Sequence, residues 1–150
     1  MKLFQTEKVI KAKVIKRPSA SIKSPYVADI QLLNENNEPI DENVYLAHSP
    51  SLGCCGLANA CAYVLVSKST NPKAKTDYVI ELACFYETKK DIDYLEYVSL
   101  KPKTAEKVAH QALLKNCVIG LPEFKTIQAE KKFKNSRFDF YGIDIYDQEH

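Results

Sequence analysis

The sequence predicts a β-rich α+β protein, in which a small closed β-barrel is followed by one helix and a β-hairpin. Five or six short segments of alternating polar and apolar residues, separated by turn residues, fill residues 1–100. Short strands at this spacing favour a barrel over a helical fold. One stretch of helical periodicity and one aromatic hairpin follow within residues 101–150.

The barrel prediction depends on strands expected at residues 8–17, 26–33, 43–47, 60–67, 78–87 and 94–100. In the first, Ile10, Ala12 and Val14 alternate with Lys11 and Lys13. This period of two turns the apolar side chains inward and the lysines outward. The second and third strands form a hairpin, because the residues between them, Asn-Glu-Asn-Asn-Glu-Pro, have turn chemistry throughout.

The helix is predicted over Thr104–Asn116, with Thr104 as its N-cap. Apolar residues recur there at i, i+3, i+4, i+7 and i+8, which is typical of an amphipathic helix: Ala105, Val108, Ala109, Ala112 and Leu113. Gly120 and Pro122 prevent the helix from continuing. The boundary between the barrel and the C-terminal part is expected near Lys101.

The hairpin is predicted over residues 126–145, with a four-residue tip at residues 134–137. Period-two alternation then places Phe133, Phe138 and Phe140 on one face and Glu130 with Asp139 on the other. In that register Glu130 lies opposite Tyr141, so the two carboxylates are diagonal neighbours about 7–8 Å apart. Carboxylates are ligands for divalent metals. The alternative to a metal site is a solvent-exposed hairpin face with alternating charges, which produces the same pattern.

Charge is distributed in blocks along the 150 residues, although the net charge is only +2. Residues 1–26 carry seven basic residues against one acidic residue, and residues 101–137 carry nine against three. Two basic blocks on a small protein indicate a polyanionic partner if they converge in space, and solvated faces if they do not. No apolar run is long enough for a membrane span. The residues after Lys2 do not form the apolar core of a signal peptide, so we expect an intracellular protein.

Several short segments of the chain resemble the sugar fermentation stimulation protein family. Glu130 followed by Ser-Arg-Phe-Asp-Phe at residues 136–140 is similar to the family's Glu followed by Ser-Arg-Ile-Asp-Phe at the same interval. Tyr-Val-Ala-Asp-Ile at residues 26–30 resembles its Phe-Leu-Ala-Asp-Val strand. The loop containing His48, Pro50 and Gly53 resembles its His-x-Pro-Asn-Thr-Gly loop. The resemblance runs from about residue 4 to the end of the chain.

The resemblance implies an OB-fold-like barrel at residues 1–100 and, at residues 101–150, the helix and hairpin of an incomplete PD-(D/E)xK nuclease-like domain. It also implies that an acid-x-Lys strand should follow Asp139, whereas the chain ends at Tyr-Asp-Gln-Glu-His. Only Glu130 and Asp139 would then represent the catalytic and metal-binding half of the nuclease motif. We expect these two residues to hold Mg²⁺ weakly, and the chain to be catalytically inactive unless the domain is completed.

With the family resemblance added to the basic blocks, nucleic-acid binding, to DNA in particular, is the favoured function. The residues expected to contact phosphate are Lys11, Lys13, Lys16, Arg17, Lys23 and Arg137. Two alternatives remain open: a Mg²⁺-dependent nuclease, or a fragment of one, that uses Glu130 and Asp139, and a folded product without function. We further expect no membrane partner, and self-association through the C-terminal hairpin.

Overall fold

The computed structural model describes residues 2–6, 8–89 and 92–150. It contains eight strands, one α-helix and one turn of 3₁₀-helix at Cys54–Gly56 among the described residues. The elements, in chain order, are β1 (Ile10–Lys16), β2 (Val27–Leu33), β3 (Tyr45–His48), β4 (Tyr63–Lys68), β5 (Tyr78–Lys89), β6 (Ile92–Ser99), α1 (Pro102–Leu114), β7 (Phe124–Phe133) and β8 (Ser136–Asp144). The predicted β-rich α+β class is therefore confirmed.

The chain divides into two compact units. The larger unit comprises Thr6–Pro102, and the smaller unit comprises Met1–Gln5 together with Lys103–His150. The division falls where Pro102 begins α1, and proline suits the first position of a helix because that position needs no hydrogen-bonded N–H. The predicted cap at Thr104 is wrong, since Thr104 lies inside the helix.

The six strands of the larger unit form one sheet in the order β3-β2-β1-β4-β5-β6. Adjacent strands in this order are antiparallel. A further parallel pairing joins β3 to β5, through Ala47 with Tyr78 and His48 with Val79. Strands β1 to β5 are therefore hydrogen-bonded in a closed cycle, and β6 extends from it as the partner of β5.

The hydrophobic core lies inside this closed sheet. Its fully buried side chains come from alternating positions, such as Ala12 and Val14 in β1 and Val64 and Val66 in β4. Every buried hydrophobic residue identified in the described part of the chain falls between Ala12 and Leu100. In the smaller unit, α1 contributes no buried residue, so its predicted apolar stripe is at most half-buried.

The hairpin of β7 and β8 turns through two residues rather than four. Phe133 pairs with Ser136 across a turn of Lys134 and Asn135, and Lys134 has the positive φ of 52° that so tight a turn accommodates. The predicted pairing of Glu130 with Tyr141 is wrong, because Gln128 is the residue opposite Tyr141. The strands are displaced by two residues from the predicted register.

Glu130 interrupts the regular pairing of this hairpin. Its neighbours pair normally, Ala129 with Phe140 and Lys131 with Phe138, which puts Glu130 at the level of Asp139. Its φ of 56° lies in the left-handed region, which is costly for a residue with a side chain. The two carboxylates of the predicted metal pair therefore belong to residues at the same level, rather than to diagonal neighbours.

Candidate nucleic-acid interface and acidic cavity

Two lysines of β1 reach over one tyrosine ring of β4. The Nζ atoms of Lys11 and Lys13 lie 5.3 Å and 6.0 Å from the centroid of the Tyr63 ring. Ala12, between the lysines, points into the core, so strand alternation puts both lysines on the outer face of the sheet. Attraction between the ammonium groups and the ring holds two like charges together at this place.

Two further tyrosines share this outer face. The Tyr86 ring meets the Tyr63 ring edge-on, with centroids 6.4 Å apart and planes at 82°, and its hydroxyl lies 3.4 Å from Lys11 Nζ. Tyr97 of β6 belongs to the same face, because it pairs with Cys84, which in turn pairs with Tyr63. We call this surface, made of Lys11, Lys13, Tyr63, Tyr86 and Tyr97, the tyrosine–lysine face.

Cys84 lies within the tyrosine–lysine face, between Tyr63 and Tyr97. Burial raises the pKa of the Cys84 thiol, and the positive charge of Lys11 opposes that shift. The thiol is therefore uncharged at neutral pH, and the charge of the face comes from its lysines. Sequence reasoning identified the lysines but missed the tyrosines, because Tyr63, Tyr86 and Tyr97 come together only through the pairing of β4, β5 and β6.

The other basic residues that the sequence singled out lie elsewhere. Lys16 and Lys23 are exposed. Arg17 donates hydrogen bonds to the carbonyl oxygens of Pro25, Ser51 and Leu52, at 2.9, 2.6 and 3.0 Å.

The remaining predicted phosphate contact is in the smaller unit. Arg137 forms an ion pair with Glu130 across the hairpin. Its guanidinium is therefore partly neutralised by the carboxylate beside it. Lys11 and Lys13 are the two predicted phosphate contacts that the described residues bring together.

The loop that carries the family-like motif begins at the end of β3. His48 lies beside Tyr26, with ring centroids 6.4 Å apart, and both rings line an open cavity of about 480 Å³ with Lys75. Pro50 is half-buried. Gly53 has φ of −73° and ψ of −54°, which any residue adopts, so its backbone conformation does not require glycine.

Three acidic residues of the smaller unit line a second, smaller cavity of about 170 Å³. Glu130 and Asp139 lie in its wall, together with Glu106 and His110 of α1. The His110 ring is stacked on the Phe140 ring, with centroids 5.8 Å apart and planes at 7°. Sequence reasoning gave His110 and Glu106 no role, because helical periodicity alone does not show what faces a helix.

This cavity does not have the geometry of a metal site. Within the described part of the chain, no three His, Cys, Asp or Glu side chains are grouped closely enough to hold a metal ion. Glu130 is already paired with Arg137, and Lys107 brings another positive charge to the cavity wall. Mg²⁺ usually keeps several water ligands and is held by one or two carboxylates, and here the positive charges of Arg137 and Lys107 oppose a cation beside these carboxylates.

No protein-family model matches the chain. Three curated relatives are named sugar fermentation stimulation protein homologues. The chain is 35% identical over 103 residues to the one from Clostridium perfringens, 32% over 131 residues to the one from Clostridium acetobutylicum, and 31% over 137 residues to the one from Pelagibacter ubique. These matches cover 67%, 86% and 90% of this chain, and 41%, 47% and 50% of the relatives.

A solved structure shares the fold. SfsA of Pyrococcus furiosus, determined in complex with Ca²⁺, aligns with 99% of this chain and 55% of its own length, at a TM-score of 0.67 and 15% identity. None of the helices formed by the described residues is long and apolar enough to cross a membrane.

The chain spans about half the length of the curated relatives it matches. On the identity to these relatives, it belongs to the sugar fermentation stimulation protein family.

Proposed function

We propose that this protein binds nucleic acid, and DNA in particular, through the tyrosine–lysine face. The observation that carries the proposal is the convergence of Lys11 and Lys13 over the Tyr63 ring. Two ammonium groups held at one place on a half-exposed face attract a phosphate backbone, and binding releases its condensed counterions. Lys16 and Lys23, which are exposed, would add phosphate contacts beyond this face.

The proposed architecture of the larger unit is an OB-like barrel. Support comes from the closed cycle of five strands, in which β3 and β5 are parallel and the other neighbours antiparallel. OB-folds bind oligonucleotides on the face of strands 2 and 3 and on the loops beside it. The tyrosine–lysine face lies on β1, β4, β5 and β6, so the proposed interface is a different part of the outer surface.

Arg17 and Arg137 contribute less in this proposal than the sequence suggests. The hydrogen bonds of Arg17 to backbone carbonyls occupy its Nε and Nη2 groups. Arg137 would have to leave Glu130 before it could meet a phosphate. We therefore place the main electrostatic contribution on Lys11 and Lys13.

The salt dependence of affinity tests this function. If Lys11, Lys13, Lys16 and Lys23 each neutralise one phosphate, a plot of log K against log salt has a slope of about −3.6 for a duplex and about −2.8 for a single strand. Reversing both charges, with Lys11→Glu and Lys13→Glu, should weaken binding to every sequence and make the duplex slope shallower by about 1.8. Lys73→Glu, in an exposed turn, is the matched control. A salt-independent affinity, or no binding at low salt, contradicts the proposal.

The second candidate function is a divalent-metal-dependent nuclease that uses Glu130 and Asp139. Two observations favour it: both side chains line one cavity, and the structurally similar SfsA was solved with Ca²⁺. Against it, a metal ion would compete with Arg137 for Glu130, and the ligand set is incomplete. We therefore propose that this chain binds Mg²⁺ only at millimolar concentrations or more weakly, and that it cleaves no DNA alone.

Calorimetric titration with Mg²⁺ and a plasmid-nicking assay test this second candidate. We expect weak heats and intact supercoiled plasmid. Metal-dependent nicking that is lost in Asp139→Asn would show that the chain is an active nuclease. Arg137→Gln should tighten metal binding, because it removes the cation that competes for Glu130.

A further inference from the structure

We propose that the tyrosine–lysine face selects single-stranded nucleic acid, with bases stacked on Tyr86 and Tyr97. This inference rests on the proposed function and names its ligand class. The carrying observation is that two half-exposed tyrosines share a face with two lysines: Tyr86 is 52% exposed and Tyr97 is 54% exposed. Exposed aromatic rings beside cations are the elements of a stacking platform for bases.

The register fixes the spacing of this platform. Tyr63, Cys84 and Tyr97 stand in one row across β4, β5 and β6, so the outer two are separated by about 9–10 Å, or two strand spacings. Tyr86 is two residues along β5 from Cys84, on the same face, and therefore about 7 Å from that row. The rings thus lie at separate places on the sheet surface, which allows different bases to stack on different rings.

Tyr63 has a positioning role in this arrangement. Its ring attracts Lys11 and Lys13, and the Tyr86 ring meets it edge-on. The lysine ammonium groups are consequently held beside the exposed rings rather than free in solvent. A single nucleic-acid strand that crosses the tyrosine–lysine face would therefore find lysines beside its phosphates and tyrosine rings beside its bases.

A duplex cannot use these rings in the same way. In a double helix the base faces are already stacked on each other, and the protein meets only base edges and phosphates. A single strand presents its base faces, and each base stacked on an aromatic side chain contributes about 1–3 kcal/mol. Stacking therefore discriminates between strand forms, whereas the lysines attract both.

The experiment measures fluorescence anisotropy with three probes: an oligothymidylate of about 12 nucleotides, an abasic oligomer of the same length, and a duplex of about 12 base pairs. We expect the oligothymidylate to bind most tightly. Tyr86→Leu and Tyr97→Leu should each lower its affinity by about 5-fold to 150-fold, while binding of the abasic oligomer is unchanged. Tyr97→Phe should retain the affinity, since the ring remains.

The matched control is Tyr94→Leu. Tyr94 lies on the same strand with 44% exposure, but strand alternation puts it on the opposite face. Its substitution should not change binding. Circular dichroism of each variant verifies that the fold is retained.

Two results would overturn the inference. Equal binding of the three probes, with no effect of Tyr86→Leu or Tyr97→Leu, refutes stacking but leaves electrostatic binding intact. Failure of the wild-type protein to bind any probe at low salt refutes both the stacking and the proposed function.

Discussion

The Nη2 group of Arg17 donates a 2.6 Å hydrogen bond to the carbonyl oxygen of Ser51. The same nitrogen reaches the carbonyl oxygen of Leu52, and Nε reaches that of Pro25. Nη1 is buried and has no partner among the described residues. One guanidinium therefore joins the end of β1 to two separate loops, including the loop with the family-like motif.

The first prediction follows from this geometry. Arg17→Lys should lower the free energy of unfolding by about 1–3 kcal/mol, because a single ammonium group cannot reproduce the three-way fork and leaves carbonyl oxygens unsatisfied. Urea denaturation measures the change. Arg137→Lys, whose ion pair is exposed on the hairpin, is the control and should change stability by less than about 1 kcal/mol. Unchanged stability with reduced oligonucleotide affinity would instead assign Arg17 to the ligand.

The strands of the larger unit could be predicted from sequence because burial on one face produces a local signal. Ile10, Ala12 and Val14 alternate with lysines, and the observed strand spans Ile10–Lys16. That signal is carried by consecutive residues, so no tertiary information is needed to detect it. The same holds for the apolar periodicity of α1, although the helix begins at Pro102, two residues before the predicted start.

The hairpin register could not be predicted because alternation is insensitive to a displacement of two residues. Turns of two and four residues both put Phe133 and Phe138 on one face, and these rings do line one cavity of about 420 Å³. The displacement changes only which residues are opposite each other. The residue pattern likewise gives no indication of the positive φ of Glu130.

The second prediction concerns acid. Asp144 is buried, and its carboxylate accepts hydrogen bonds from the backbone N–H groups of Gln148 and Tyr146, at 2.9 and 2.8 Å, and lies 3.0 Å from His150 Nε2. Chiefly through the Gln148 N–H, these partners lower the pKa of Asp144 in the folded state. Its contribution to stability is therefore complete above the unfolded pKa of about 4, and it is lost as pH falls through the lower folded pKa.

An NMR titration from about pH 6 to about pH 2 tests this dependence. The amide signals of Gln148 and Tyr146 should move together, with a midpoint below about 3.9. Asp144→Asn should remove that transition and weaken the C-terminal turn at neutral pH. Asp147→Asn is the matched control, since the Asp147 carboxylate is exposed and pairs with Lys125. A midpoint above about 4 would mean that the hydrogen bonds do not favour the ionised carboxylate.

The third prediction concerns local stability. Within the described chain the buried hydrophobic side chains belong to the larger unit and those of the smaller unit are at most half-buried; Phe133 and Phe138 in the hairpin are 57% and 52% exposed. An isolated two-stranded hairpin is marginally stable in water. Amide exchange should therefore be slow over residues 8–100 and distinctly faster over residues 126–145. Equal protection in both ranges would mean that the smaller unit is a complete folding unit.

The last prediction is that the protein self-associates through the exposed aromatic face of the hairpin. Phe133 and Phe138 line an open cavity with Phe140. The outer edge of β7 has no strand partner among the described residues, whereas the outer edge of β8 pairs with residues 148–150 through Gly142 and Asp144. Burial of apolar surface and pairing of free edges both favour association of such a surface. Sedimentation velocity should show a concentration-dependent increase in mass that Phe138→Ser reduces. Phe85→Ser, at 43% exposure in β5, is the control and should leave association unchanged. A strict monomer at all concentrations would show that these rings do not drive contact between copies.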